Sequence, residues 1–165
     1  MTVYADYTPE EQQILRRGMR SAAVAVSAAS PGRKEETVSE GYAAAEFVLK
    51  SGPDYVGNTL VTSIIVAVEA RVEKEEPFPD YVKVASAPGA KEDALDGLRS
   101  VVALLDAKSN PQEAAGYKGW AMRLAQVTAE AGKEDQGFLG MGGQKVNDAE
   151  RAVLAEIAGI LGVKQ

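Results

Sequence analysis

The chain has 165 residues and a formal net charge of −6, with neither cysteine nor histidine; 45% of it is hydrophobic, 25% charged and 6% aromatic. The missing cysteines exclude disulfides and thiolate chemistry, and the missing histidines remove the commonest general base, the commonest metal ligand and every Ser-His or Cys-His arrangement. The hydrophobic fraction excludes generic disorder, and few aromatics with abundant alanine favour helices packed through small side chains.

The acidic balance argues against nucleic acid as a direct partner, because phosphate backbones are held by clustered Lys and Arg. The basic residues here are scattered along the chain, as at Arg16, Arg17, Arg33 and Lys34. Met1 to Asp6 lack a basic start followed by an apolar run, and no apolar stretch reaches membrane-spanning length. A cytoplasmic protein without membrane insertion is therefore expected.

In chain order, Thr8, Pro9 and Glu11 supply a cap, a first-turn proline and a capping-box glutamate. A helix is predicted from there, carrying Ile14, Leu15, Met19, Ala22, Ala23 and Val26 at helical spacing until Ser30, Pro31 and Gly32 stop it. A second helix runs through Val38, Tyr42, Ala45 and Leu49 and ends at Ser51, Gly52 and Pro53. Asn58 caps a third, with Leu60, Val61, Ile64, Ile65 and Val68 as its stripe. Its β-branched run would also suit a buried strand, but the charged tail through Arg71 and Glu73 extends it beyond strand length.

Pro77, Phe78 and Pro79 break the chain, and Pro88 and Gly89 break it again after a short piece around Tyr81, Val82 and Val84. Leu95, Leu98, Val102 and Leu105 then step along one helical face up to Asn110 and Pro111. Tyr117, Trp120, Leu124, Val127 and Ala131 form the next stripe, with Tyr117 and Trp120 read as core aromatics rather than a stacking platform. Asn147 and Glu150 form a capping box for a last helix through Val153, Leu154, Ile157, Ile160 and Leu161. The expectation is an all-α, single-domain helical bundle of about six to eight helices over residues 1–165. An alanine-rich echo between residues 26–30 and 127–131 raises the option of two related helical halves.

The segment at 137–143, Gly-Phe-Leu-Gly-Met-Gly-Gly, departs most from ordinary helix packing. Its functional reading is an anion cradle built from Gly137, Gly140, Gly142 and Gly143 with Asn147 at the start of the last helix. Its structural reading is a connection whose Phe138, Leu139 and Met141 plug the core, and the missing lysine and hydroxyl pair of a phosphate loop favours that. The acidic groups beside it, Glu134, Asp135, Asp148 and Glu150, could offer oxygen ligands to a hard divalent cation. They do not follow an EF-hand spacing, and a helix-capping role accounts for Glu150. Glu69, Glu73, Glu75 and Glu76 are read as a solvated helix end, with docking of a basic partner as the functional alternative. Ser27 and Thr128 are expected to bond back to their own helix backbones.

The last helix, Asn147-Asp148-Ala149-Glu150-Arg151-Ala152-Val153-Leu154-Ala155-Glu156-Ile157-Ala158 and on to Gly162, together with the alanine-rich turn before it, resembles the tellurite-resistance TerB-like family. Residues 26–49 match more loosely, and the middle of the chain does not match. Where that family usually places an Ala-Asp-Gly turn, this chain has Ala131-Gly132-Lys133-Glu134-Asp135 and a glycine insert, which rearranges any acidic site. The resemblance implies an all-helical, non-enzymatic module acting in stress or tellurite response through a protein partner, with a divalent cation as the cofactor it admits. The alternatives are a small-molecule or anion-binding protein, or a weakly specified enzyme, using the 137–143 loop, and a homo-oligomer that buries Val61 to Val68 between subunits.

Overall fold

The first long helix, α1 (Pro9–Ala29), starts where its sequence says it should: Thr8 Oγ1 accepts from the Glu11 amide at 3.3 Å and Glu11 Oε2 accepts from the Thr8 amide at 2.9 Å. In this computed structural model, which describes residues 1–32, 34–132 and 146–164, six further helices follow. They are α2 (Lys34–Lys50), α3 (Thr59–Glu73), the short α4 (Tyr81–Ala85), α5 (Ala90–Lys108), α6 (Pro111–Ala131) and α7 (Asp148–Leu161). Single 3-10 turns at Tyr4–Asp6 and Gly52–Tyr55 complete the regular structure, and no strand occurs among the described residues.

Helix α1 is the axis of the bundle. It packs most extensively on α5 and also on α6, while α2 packs on α6 and less extensively on α1, and α7 closes against α5, α6 and α1. The α1–α5 crossing is tight because Gly18 faces Val101: a Cβ on Gly18 would lie 2.6 Å from Val101 Cβ. The 61–68 stripe is core of this chain, with Val61, Ile64, Ile65 and Val68 all buried and Val66 turned outward. That corrects the oligomer reading, since the residues assigned to a subunit boundary are already covered by their own fold.

Tyr117 and Trp120 are fully buried in α6 and meet edge to face, with ring centroids 5.8 Å apart at 72°. Each polar tip is satisfied, Tyr117 Oη donating to the Leu15 carbonyl at 2.6 Å and Trp120 Nε1 to Ser51 Oγ at 2.9 Å. The buried carboxylate of Glu113 receives the Leu60 amide at 3.0 Å and the Thr59 hydroxyl at 2.7 Å, so α6 caps the start of α3 alongside Asn58. Among the described residues no helix is long and apolar enough to cross a membrane.

Candidate functional site

A concavity lies between α1, α2, the end of α3 and the strap that follows it, and encloses about 540 Å³. That volume falls in the range of roughly 300–1,000 Å³ typical of small-molecule sites. The periodicity of two helices builds its walls. On α1, Gln13, Arg16, Arg20 and Ala23 recur at steps of three and four, with Arg17 beside them, on the side away from buried Leu15, Ala22 and Val26. On α2, Gly41, Ala44, Ala45, Val48 and Leu49 follow the same rule and supply a small, apolar face. Val68 and Leu124 close the floor.

The strap owes its course to the way α3 ends. Glu75 takes a left-handed backbone (φ 53°), the Glu75 amide bonds the Val72 carbonyl at 3.0 Å, and the Glu76 amide reaches back to the Arg71 carbonyl at 3.0 Å. This is a Schellman turn with glutamate in the position that glycine usually fills. It sends residues 76–79 back over Arg71, whose Nε donates to Glu76 Oε2 at 2.8 Å and whose Nη2 donates to the Pro77 carbonyl at 3.3 Å. The same guanidinium stands 4.8 Å from the centre of the Phe78 ring. Pro77, Phe78 and Pro79 thereby become the outer wall of the cavity.

Among the described residues, four arginines and no Asp or Glu line this cavity. Arg71 is paired with Glu76, and Arg16 donates to the Tyr4 hydroxyl, whereas Arg17 and Arg20 have no carboxylate partner among the described residues. Burial is the main cause holding Arg20 below the ordinary arginine range, and the positive charges of Arg17 and Arg71 act in the same direction. Arg16 is lowered by burial and by Arg71, with Glu76 opposing. Both guanidiniums stay charged at physiological pH, so the arrangement is a repelling cationic cluster that a bound anion would relieve.

A buried polar cluster adjoins the cavity through Tyr81. The Tyr81 ring lies against Gly41, where a Cβ would come within 2.7 Å of Tyr81 Cδ1, and its hydroxyl shares a 2.8 Å hydrogen bond with Ser27 Oγ. Ser27 also bonds the Glu40 carboxylate, and Glu40 Oε2 has no hydrogen-bond partner among the described residues although Glu40 is only 5% exposed. Burial, with Glu150 and Glu36 adding to it, pushes the Glu40 carboxyl up to about 7. Ser27 thus bonds outward to α4 and α2, against the expectation of a backbone bond within its own helix; Thr128 does bond its own helix, at the Leu124 carbonyl 2.8 Å away.

Of the residues singled out in the sequence, Asn147 and Glu150 form the capping box of α7: Asn147 Oδ1 accepts from the Glu150 amide at 2.8 Å and Glu150 Oε2 from the Asn147 amide at 2.9 Å. Asn147 Nδ2 also donates to Ser30 Oγ at 2.7 Å, which ties α7 to the end of α1. Asp148 is exposed and pairs with Arg151 at 2.8 Å. Glu134, Asp135, Gly137, Gly140, Gly142 and Gly143 lie outside the described residues. Among the described residues no three acidic groups converge as a metal site would require.

The arginine cavity was hidden from sequence reasoning. Arg16 and Arg20 do carry a signal, four residues apart on one helical face, but nothing in the sequence joins them to Arg71. No family model, curated protein or solved structure matches this chain, so the TerB-like resemblance rests on the motifs quoted for it alone.

Proposed function

We propose that this protein binds an amphipathic small molecule, with the apolar part held between α1, α2 and α3 and an anionic group held by the arginines at the mouth. The observation that carries this reading is a cavity wall with four arginines and no carboxylate among the described residues, in a chain whose net charge is −6. A rim of that sign in an acidic protein runs against the average surface and supplies charge complementarity for an anion. The apolar floor supplies the affinity, at about 0.8 kcal/mol for each methylene taken out of water. The arginines supply orientation, because their planar forks meet carboxylate or phosphate oxygens two at a time. Arg71, fixed by Glu76 and Phe78, holds the strap over the apolar part.

Isothermal titration calorimetry with decanoate tests the reading. Wild-type protein is expected to bind one equivalent saturably. Ala45→Trp, at an exposed α2 position on the cavity wall, is expected to fill the space and abolish the heat without lowering the melting temperature. Equal binding by both proteins would place the ligand elsewhere and overturn the proposal.

A further inference from the structure

We infer that the anionic group this cavity takes is a phosphomonoester, so that the ligand is an apolar molecule ending in a phosphate dianion. The inference rests on the cavity reading above and concerns how much negative charge the rim is built to meet.

The charge on the cavity wall is uneven. Arg71 is matched by Glu76 at 2.8 Å and is held in place by the strap, which leaves Arg16, Arg17 and Arg20 on α1 as cavity-lining cations with no carboxylate partner among the described residues. Arg16 donates to the Tyr4 hydroxyl and not to a carboxylate, and the charges bearing on Arg20 are those of two other arginines. A carboxylate brings one negative charge and two oxygens, which a single guanidinium fork satisfies, so two cations would stay uncompensated in a half-buried rim. A phosphomonoester brings nearly two charges at neutral pH and three terminal oxygens, enough to engage guanidiniums one helical turn apart on α1 at the same time. The neighbouring repulsion among the arginines is then relieved by the second charge as well as by the first. An apolar floor that includes Val48, Val68 and Leu124 gives inorganic phosphate no reason to prefer this place over any other cationic surface, whereas a tailed phosphate uses both halves of the cavity.

The test is a calorimetric comparison of decyl phosphate, decanoate, decanol and inorganic phosphate on the full chain. At pH 7.5 decyl phosphate is expected to bind at least tenfold tighter than decanoate. That ratio should shrink at about pH 5.5, where most of the phosphate has lost its second charge while decanoate is still mostly ionised. Arg20→Gln should remove most of the ratio, and Arg17→Gln, at an exposed position, should do so in part. Circular dichroism and melting temperature confirm that both variants fold. Equal affinities for decyl phosphate and decanoate, or a ratio insensitive to pH and to both variants, would overturn this inference and leave the cavity reading standing. Inorganic phosphate binding as tightly as decyl phosphate would overturn it too, because the tail would then contribute nothing. Absence of binding by all three tailed compounds would overturn both readings.

Discussion

Glu40 is a carboxylate placed where ionisation is costly: its Oε2 has no hydrogen-bond partner among the described residues, and burial above all, with the charges of Glu150 and Glu36 adding to it, raises its pKa to about 7 from an ordinary 4.5. Below pH 4.5 the group is protonated in both the folded and the unfolded chain and costs nothing. As pH rises from 4.5 the unfolded chain releases the proton while the folded chain retains it, so stability falls, and the full cost is present above pH 7. A shift of that size corresponds to something on the order of 3 kcal/mol. Thermal denaturation should therefore show wild-type protein less stable at pH 8 than at pH 5 by that cause, and Glu40→Gln should flatten the difference and melt higher than wild type at pH 8. A variant that melts lower at pH 8, with the pH slope unchanged, would contradict this account of Glu40. Nothing local announces it, because Glu40 stands in an ordinary-looking charged helix and its neighbours Ser27, Tyr81 and Glu150 come from three other elements. The capping residues were legible for the opposite reason. Thr8, Asn58 and Asn147 act on amides three residues away, and so short a range is written directly in the sequence.

At the scale of elements, the boundaries follow local chemistry closely. Proline opens α1 and α6, capping asparagines open α3 and α7, and Gly162 closes α7 with a left-handed φ of 67°. The end of α3 is the instructive departure, since no glycine or asparagine marks the left-handed residue there and Glu75 adopts that conformation regardless. Its cost is offset by what the turn positions, namely Glu76, Pro77 and Phe78 around Arg71. Non-glycine residues in this backbone region carry a penalty of about 1–2 kcal/mol, and glycine returns some of that through the greater freedom of the unfolded chain. Glu75→Gly is therefore expected to stabilise the protein by roughly 0.5–1 kcal/mol in urea denaturation, with the same dependence on denaturant. Destabilisation of similar size would mean that the Glu75 side chain matters more than its backbone. The sequence-level description of Glu69, Glu73, Glu75 and Glu76 as a solvated helix end holds for their exposure, but Glu76 has a specific partner in Arg71 that charge counting along the chain does not show.

Across the whole molecule, the all-α architecture could be read from periodicity because each helix advertises its buried face within its own residues. Leu95, Leu98 and Leu105 in α5 and Val153, Leu154, Ile157 and Leu161 in α7 are buried as their spacing requires, whereas Val102 and Ile160 of the same predicted stripes are only partly buried and Val101 takes the core position beside Leu98. The candidate site could not be read that way. Basic residues that look scattered along an acidic sequence converge only when the end of α3 is brought beside the middle of α1, and that juxtaposition is a property of the packed bundle. The glycine-rich segment drew attention because its composition is unusual, while the arginine cavity is assembled from residues that are each unremarkable. The two readings make different claims about where an anionic ligand settles on the same chain. The measurement that separates them most directly is an amide NMR titration of the labelled protein with decyl phosphate. We predict saturable shifts at Arg16, Arg20, Gly41, Val68 and Phe78, from three helices and the strap at once. Shifts confined to the amides of residues 133–150, or none at all, would contradict the assignment of ligand binding to the arginine cavity.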